Sequence, residues 1–383
     1  MQGLYKLIPE EREDIYTGKY IIIDIEGIIK NSENLEPAET SEMIEKFCDN
    51  LTLHTKIEFD AVIWDNGALI KNINNAFRIN AWKIEDAKDY VITDKYVALI
   101  FAKAKNKLDI VIKESECTKL NFLFLNTNKP LSMPLYIDVG KKASLNLLLW
   151  YASTTIKDSF SSSLTNIFLE KDSNANIITI HNENKNTVVI SNLDSKIMDN
   201  AILNLDYIYL GGNVTRSRNH MNAMGKYAKI EARETIVGTA EQKFDIYSLM
   251  TNMSNYVNTK LDTNVILMDK SSCFMKGFSK IEKTATESKS LIKENAVLIG
   301  KNVRINSIPS MEINQNAVEA NHFSVISPID EESIFYLMSR GISSNGAMKL
   351  LASGFFSKVI DKIGDIDVKR EVSSLIDYKL SGK

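Results

Sequence analysis

Ile177-Ile178-Thr179-Ile180, then His181-Asn182-Glu183-Asn184-Lys185-Asn186-Thr187, then Val188-Val189-Ile190 is the stretch on which the fold turns. Two β-branched runs flank a polar cluster of asparagine, glutamate and lysine, the composition of two strands joined by a solvated turn. The same alternation extends outward in both directions. It recurs at Val97 to Phe101, Leu108 to Ile112, Phe122 to Leu125 and Leu135 to Val139, and again at Ile202 to Leu210, Val265 to Met268 and Ala296 to Ile299. From about Tyr96 to Ser327 the chain therefore reads as short strands in succession, with few long helical patterns. That content admits a sandwich, a propeller or a parallel β-helix. No strict repeat length is visible, which counts against regular propeller blades and leaves an irregular solenoid open.

The flanks differ. Residues 1–95 mix a strand-like Tyr20-Ile21-Ile22-Ile23, a helical Pro37 to Phe47 and a second strand, Ala61-Val62-Ile63-Trp64, ending in an Asp65-Asn66-Gly67 turn. They read as a small α/β region. Residues 329–383 switch to helical period. Asp330 is a good N-cap, Glu331 and Glu332 offset the helix dipole, and Ile334, Phe335, Leu337 and Met338 form an apolar stripe. Gly341 stops that helix and Ser343-Ser344 caps the next, in which Ala347, Leu350, Leu351, Phe355 and Val359 recur at three- and four-residue spacing. Val368 to Leu380 reads as a final helix.

Of the 383 residues, 44% are hydrophobic and 25% charged, a composition that excludes a disordered or collagenous chain. Lys and Arg number 46 against 49 Asp and Glu, a net charge of −3, so no overall positive field exists to neutralise a phosphate backbone and nucleic acid is not an expected partner. Cys48, Cys117 and Cys273 are too scattered for a Cys-x-x-Cys site and too few for a disulfide framework, which suits a reducing cytoplasm. No basic segment leads into an apolar run, and Tyr20 to Ile29 is broken by Asp24, Glu26 and Gly27, so the expectation is neither signal peptide nor membrane span.

The phosphate-binding, dinucleotide, zinc-protease and serine-hydrolase motifs are all missing from the sequence. His54, His181, His220 and His322 are not paired at metal-ligand spacing, so any metal work needs residues from a partner.

The segment Ile329-Asp330-Glu331-Glu332-Ser333-Ile334-Phe335-Tyr336-Leu337-Met338-Ser339-Arg340-Gly341-Ile342, followed by Ala347 and Leu350-Leu351-Ala352-Ser353-Gly354-Phe355, resembles the C-terminal signature of the SufB/SufD family of iron–sulfur cluster assembly proteins. Earlier segments agree in order. They are Pro134-Leu135-Tyr136-Ile137-Asp138-Val139 with Ala143-Ser144-Leu145, Leu210-Gly211-Gly212 with Arg216, and Pro309-Ser310-Met311-Glu312-Ile313 before His322. The resemblance runs from about Pro134 to about Ile360. It implies a mainly β protein, a right-handed parallel β-helix core (96–328) between the N-terminal α/β region and the C-terminal helical subdomain. It also implies a non-catalytic subunit with no stably bound cofactor. Such a subunit pairs with a SufB-type sister chain, docks the SufC ATPase, and holds a transient iron or iron–sulfur cluster at the subunit interface.

The family's scaffold subunit carries an essential cysteine shortly before its Pro-x-x-Glu segment, and Val303 stands at that position here, which favours the SufD type. The SufD-type histidine maps onto His322, in Ala320-Asn321-His322-Phe323-Ser324, and the acidic residue at the start of the C-terminal helix maps onto Glu331. A neutral imidazole and a carboxylate are suitable iron ligands, shared with a partner chain. The plainer alternatives are a surface histidine and a dipole-favoured helix-start acid. Phe335, Met338, Arg340, Leu350, Phe355 and Phe356 form the expected partner-docking set, because so small a helical subdomain cannot hide all its apolar residues itself. Cys273, inside a strand-like run, reads as a buried small hydrophobe. Competing roles are a homodimeric scaffold, a structural adaptor without iron chemistry, and, from a different class, a β-helix enzyme acting on polysaccharides with carboxylates along one face.

Overall fold

The computed structural model describes residues 41–381, apart from 66, 73, 90–94, 128 and 155–157. The predicted Tyr20–Ile23 strand and the beginning of the Pro37–Phe47 helix lie outside the described residues. Strands β1 (Ala61–Trp64), β2 (Gly67–Ile70) and β3 (Phe77–Ala81) precede β4 (Asn106–Ile112), β5 (Cys117–Asn126), β6 (Leu131–Val139), β7 (Ser144–Ser153) and β8 (Ser159–Leu169). They are followed by β9 (Asn174–Asn182), β10 (Thr187–Ile197), β11 (Ile202–Tyr209), β12 (Val214–Ala223), β13 (Lys229–Gly238) and β14 (Lys243–Asn252). The series closes with β15 (Asn258–Met268), β16 (Ser272–Ile281), β17 (Ser288–Ile299), β18 (Arg304–Ser307), β19 (Ser310–Ile313) and β20 (Val318–Pro328). Helices α1 (Ser41–Thr55) and α2 (Lys95–Lys103) stand near the start, and α3 (Glu331–Ser339), α4 (Ser344–Ile360) and α5 (Ile366–Leu380) follow the last strand.

Successive strands alternate between two sheets. One runs β2-β1-β5-β7-β9-β11-β13-β15-β17-β20, and the other runs from β3 and β4 through the even strands to β18, with β19 also on β16. From β4 and β5 onward every neighbour is parallel. This is a parallel β-helix of about seven turns, the architecture the family resemblance implied. The strands of the 1–95 region extend it: β1 pairs with β5 and β3 with β4.

A repeat is present after all. Side chains stacked in neighbouring coils lie 27 to 31 residues apart, as Arg233 on Asp206, Asn176 on Asn146 and Thr259 on Ser290 do. The turn from each even-numbered strand, β4 to β16, into the next odd-numbered one carries a left-handed residue: Ser115, Lys142, Asp172, Asn200, Tyr227, Tyr256 and Glu287, all with φ between 56° and 65°. The amide of each donates to a carbonyl of the next coil, as Lys142 N to Lys171 O, Asn200 N to Lys226 O and Tyr256 N to Thr286 O. That bond offsets the cost of a left-handed conformation in lysine or tyrosine.

One strand prediction fails. Val97–Phe101 lies within helix α2, with Val97, Ile100 and Phe101 packed against Phe160, Leu164, Val188 and Ile190 on the outer face of the even-numbered sheet. Five apolar residues in a row satisfy a buried strand and a buried helix equally, and the i, i+3, i+4 contact made in the folded chain settles the matter.

The helical end forms as the Asp330 and Ser343 caps predict, and Asp365 adds a third cap that starts the last helix two residues before the expected Val368. The Asp330 carboxylate accepts from Glu332 N, Ser343 Oγ from Gly346 N, and Asp365 from Asp367 N and Val368 N. Gly341, at φ +88°, ends α3. Val368, Val372, Ile376 and Leu380 make a buried i, i+4 stripe on α5. This stripe joins Ala352, Phe356 and Ile360 of α4, and Ile44 and Cys48 of α1, over Leu123, Trp150, Ile180 and Ile208 on the outer face of the odd-numbered sheet. That sheet is thus apolar on both faces in its middle coils.

Candidate functional site

The β-helix ends open. The eleven residues of β20 are half-buried or exposed, and in the order of the sheet no strand lies beyond it among the described residues. Its register fixes which side chains face the interior. His322 pairs with Ile292, Ser324 with Glu294 and Ile326 with Ala296, and those three residues of β17 are buried in the interior. His322, Ser324 and Ile326 therefore continue the interior rows onto a coil that no described residue caps. The even-numbered sheet brings Val303, Ile305 and Met311 to the same mouth, each partly buried against the core. Val303, where the family's scaffold subunit has its cysteine, thus stands at the mouth that His322 faces.

Beneath the mouth lies a group the sequence reading did not single out. Glu294 is 1% exposed. Its carboxylate accepts from the Gly277 amide at 2.7 Å and from the Ser307 hydroxyl, and Ser307 Oγ lies 2.9 Å from Ser324 Oγ. A β-carbon at position 277 would lie 2.9 Å from Glu294 Oε1, so glycine makes the room for this carboxylate. Burial pushes the carboxyl up to about 7 against the opposing pull of its Ser307 and Gly277 hydrogen bonds, and the nearby Glu234 adds to the rise. A signal was present in the sequence: in Ser288-Lys289-Ser290-Leu291-Ile292-Lys293-Glu294-Asn295-Ala296 the glutamate shares parity with Ile292 and Ala296, hence the inward face.

Glu294 belongs to a longer polar row. Thr179, Tyr207, Glu234, Thr263, Glu294 and Ser324 stand in register, one per coil. Glu234 accepts from Thr263 Oγ1 at 2.7 Å, from Asn219 Nδ2 at 3.3 Å and from Ser248, and burial raises its carboxyl. Tyr209 donates to Ser217 at 2.8 Å, and Ser217 to Asn219 at 3.2 Å. A second buried pair, His181 Nδ1 with Glu183 Oε1 at 3.0 Å, sits in an aromatic stack with Tyr151 and Tyr209.

The predicted ligands are both exposed, His322 on β20 and Glu331 in the first turn of α3. Among the described residues no three His, Cys, Asp or Glu side chains gather to hold a metal. Cys273 is buried on β16 and its thiol is pushed well up by desolvation, so it behaves as a hydrophobe.

Of the predicted docking set, Phe335 is 74% exposed, and Met338, Leu350 and Arg340 are exposed too. The Arg340 guanidinium lies over the Tyr336 ring at 5.2 Å. No residue of α3 is buried. Phe355 is half-buried. Phe356 is wholly buried in the core between α4, α5 and the sheet, so it offers no docking surface.

A cleft of about 710 Å³, lined by Arg78, Asp109, Tyr136, Asn166 and Lys196 on the outer face of the even-numbered sheet, lies at the opposite end of the solenoid from His322. Among the described residues no helix is long and apolar enough to cross a membrane.

Comparison with known proteins gives a consistent result. The family model for the SUF system FeS cluster assembly SufBD core domain matches residues 124–355. The chain is 24% identical over 173 residues to the iron–sulfur cluster assembly protein SufD of Escherichia coli, covering 45% of this chain and 41% of that protein. To the SufD of Bacillus subtilis it is 24% identical over 166 residues, 43% of this chain and 38% of the relative. A SufBD family protein of Pyrococcus horikoshii aligns at 21% identity over 389 residues, 94% of this chain and 85% of the relative. The chain thus spans less than half the length of the two SufD proteins it matches.

Proposed function

The chain belongs to the SufBD family of SUF-system iron–sulfur cluster assembly proteins, and from that premise we propose that it acts as a SufD-type, non-catalytic subunit. In this reading the open terminal coil docks a SufB-type sister chain, and the cluster is cargo built where the two chains meet. The observation that carries it is the bare mouth formed by β20, with His322 on an interior row and the exposed Phe323, Val325 and Ile326 alongside. An exposed edge strand that presents apolar side chains is a ready template for another chain. Val303 in place of a thiol supports the SufD assignment over the homodimeric scaffold, because a scaffold needs a sulfur ligand at the mouth.

Helix α3 supports a second contact in the same assembly. With no buried residue and Phe335, Tyr336 and Met338 outward, it offers an apolar face suited to an ABC-type ATPase of the SufC kind. The Fe–S work is ligand exchange: the His322 imidazole binds iron as a neutral donor, Glu331 adds a hard oxygen, and the sister chain supplies the thiolates.

Anaerobic purification of the tagged chain from its own cells, with mass spectrometry of what accompanies it, tests the reading. Recovery of an ABC-type ATPase and a SufB-type chain is the expected result, and Phe335→Ser should release the ATPase while keeping the sister. Recovery of the chain alone across gentle salt conditions overturns it.

A further inference from the structure

Cysteine and sulfide bind iron in their deprotonated forms, so cluster assembly at the mouth releases protons that must be taken up nearby. The buried carboxylate beneath the mouth is not explained by packing, since an apolar side chain would fill its place as Ile292 and Ala296 fill the neighbouring rows of the same strand. Its hydrogen-bond partners are one hydroxyl and one amide. From β16 it meets the Gly277 amide, and the buried Cys273 thiol on that strand feels its charge. From β18 comes Ser307, from β20 Ser324 in register, from β15 Thr263 in register, and from β13 the carboxyl of Glu234. Ser307 is half-buried and Ser324 is exposed, so the Glu294–Ser307–Ser324 line leads from the core to solvent two residues from His322. Glu234, by contrast, bonds only to buried groups.

We propose that Glu294 is the proton acceptor of the terminal coil, taking protons from sulfur ligands at the mouth through the hydroxyls of Ser324 and Ser307. The proposal rests on the cluster-assembly reading above. In the step, a thiol R–SH gives its proton to Ser324 Oγ, Ser324 passes its own hydroxyl proton to Ser307 Oγ, and Ser307 passes its proton to the Glu294 carboxylate. R–S⁻ and a neutral carboxylic acid result, both hydroxyls are restored, and nothing is oxidised or reduced. A carboxyl raised to about 7 is half ionised at neutral pH, where it both accepts a proton and returns it to solvent.

The test uses the chain copurified with its sister, supplied anaerobically with ferrous iron and sulfide, with the initial rate of cluster absorbance followed from about pH 5.5 to about pH 8.5. The wild-type rate should fall about tenfold per pH unit below about 7, as the acceptor becomes protonated. Glu294→Gln should be about tenfold slower at pH 8 and lose that limb. Ser307→Ala should be comparably slow, yet keep the infrared band of a protonated buried carboxyl, which is missing from Glu294→Gln and should titrate higher in Ser307→Ala than in the wild-type chain because the Ser307 hydrogen bond that holds it down is gone. That band, read without any cluster, separates loss of the relay from loss of the fold. A Glu294→Gln complex with the wild-type pH profile overturns the relay alone, as does full activity in Ser307→Ala. A wild-type complex that retains its sister and builds no cluster overturns the functional reading itself.

Discussion

Glu234 and Glu294 occupy the same interior row, two coils apart, and live in different surroundings. Glu234 has a coil on either side, three side-chain donors and no route to solvent. Glu294 has a complete coil on one side only. On the other side its hydrogen bonds run through Ser307 to the bare edge at Ser324. The outer faces differ in parallel: α1, α4 and α5 cover the middle of the odd-numbered sheet, while β20 is uncovered. A solenoid of identical backbone turns thus holds a rigid, self-satisfied polar core and an unfinished one. A buried polar group completed from within specifies structure, whereas one completed only at an open end is available to a partner or a proton.

Breaking the closed coil should cost most. Glu234→Ala leaves Thr263, Ser248 and Asn219 without their shared acceptor and opens a cavity, so denaturant unfolding should show a loss of about 3 kcal/mol. Gly277→Ala comes next. Its methyl would meet Glu294 Oε1 and Ile292 Cγ2 at 2.9 Å and Leu261 Cδ2 at 3.0 Å, and it should lower stability by about 1–3 kcal/mol while pushing the carboxylate toward the mouth. A matched pair sharpens the contrast: Thr263→Val in the closed coil should cost about 1–2 kcal/mol, and Ser324→Ala at the open edge no more than about 0.5 kcal/mol. Equal costs for the two would mean that the end is as well satisfied as the middle.

The same contrast explains what the sequence made legible. Strand after strand could be read because apolar runs rich in β-branched, leucine and aromatic residues alternate with polar turns. The helix caps at Asp330 and Ser343 are local chemistry, visible without any tertiary contact. The repeat was hidden because the left-handed turn position is filled by serine, lysine, aspartate, asparagine, tyrosine and glutamate in different coils. An inter-coil hydrogen bond, not the residue type, holds that conformation. Apolar packing on both faces of the odd-numbered sheet also erased the alternation that would have set register. Helix α2 was misread because five consecutive apolar residues carry no period. At the site, the family resemblance pointed to His322. The reason His322 faces the mouth lies in its pairing with Ile292, and the Glu294–Ser307–Ser324 line joins residues from three strands that only register brings together.

The smallest effect should come from the covering on the outer face. Glu231 of β13 bonds Lys362, in the link between α4 and α5, at 2.8 Å and Lys260 at 3.2 Å. Burial alone would raise the Glu231 carboxyl, but the hydrogen bonds and charges of the two lysines outweigh it and bring it down to about 2, from 4.5. A carboxylate lowered on folding stabilises the folded state above its unfolded value, and that contribution drains away as pH falls from about 4.5 toward about 2. The carboxylate is a third exposed and screened, so removing one partner should cost only a few tenths of a kcal/mol. Lys362→Met should therefore unfold slightly earlier than the wild type at pH 6, with the gap narrowing through that acid window. Hydrogen exchange should rise first in α5, because the link to β13 ties the helical cover to the middle coils. If the gap instead stays constant down to pH 2, Lys362 acts through packing of its stem, and the ion pair with Glu231 does not hold the cover, which rests on the apolar contacts of α4 and α5.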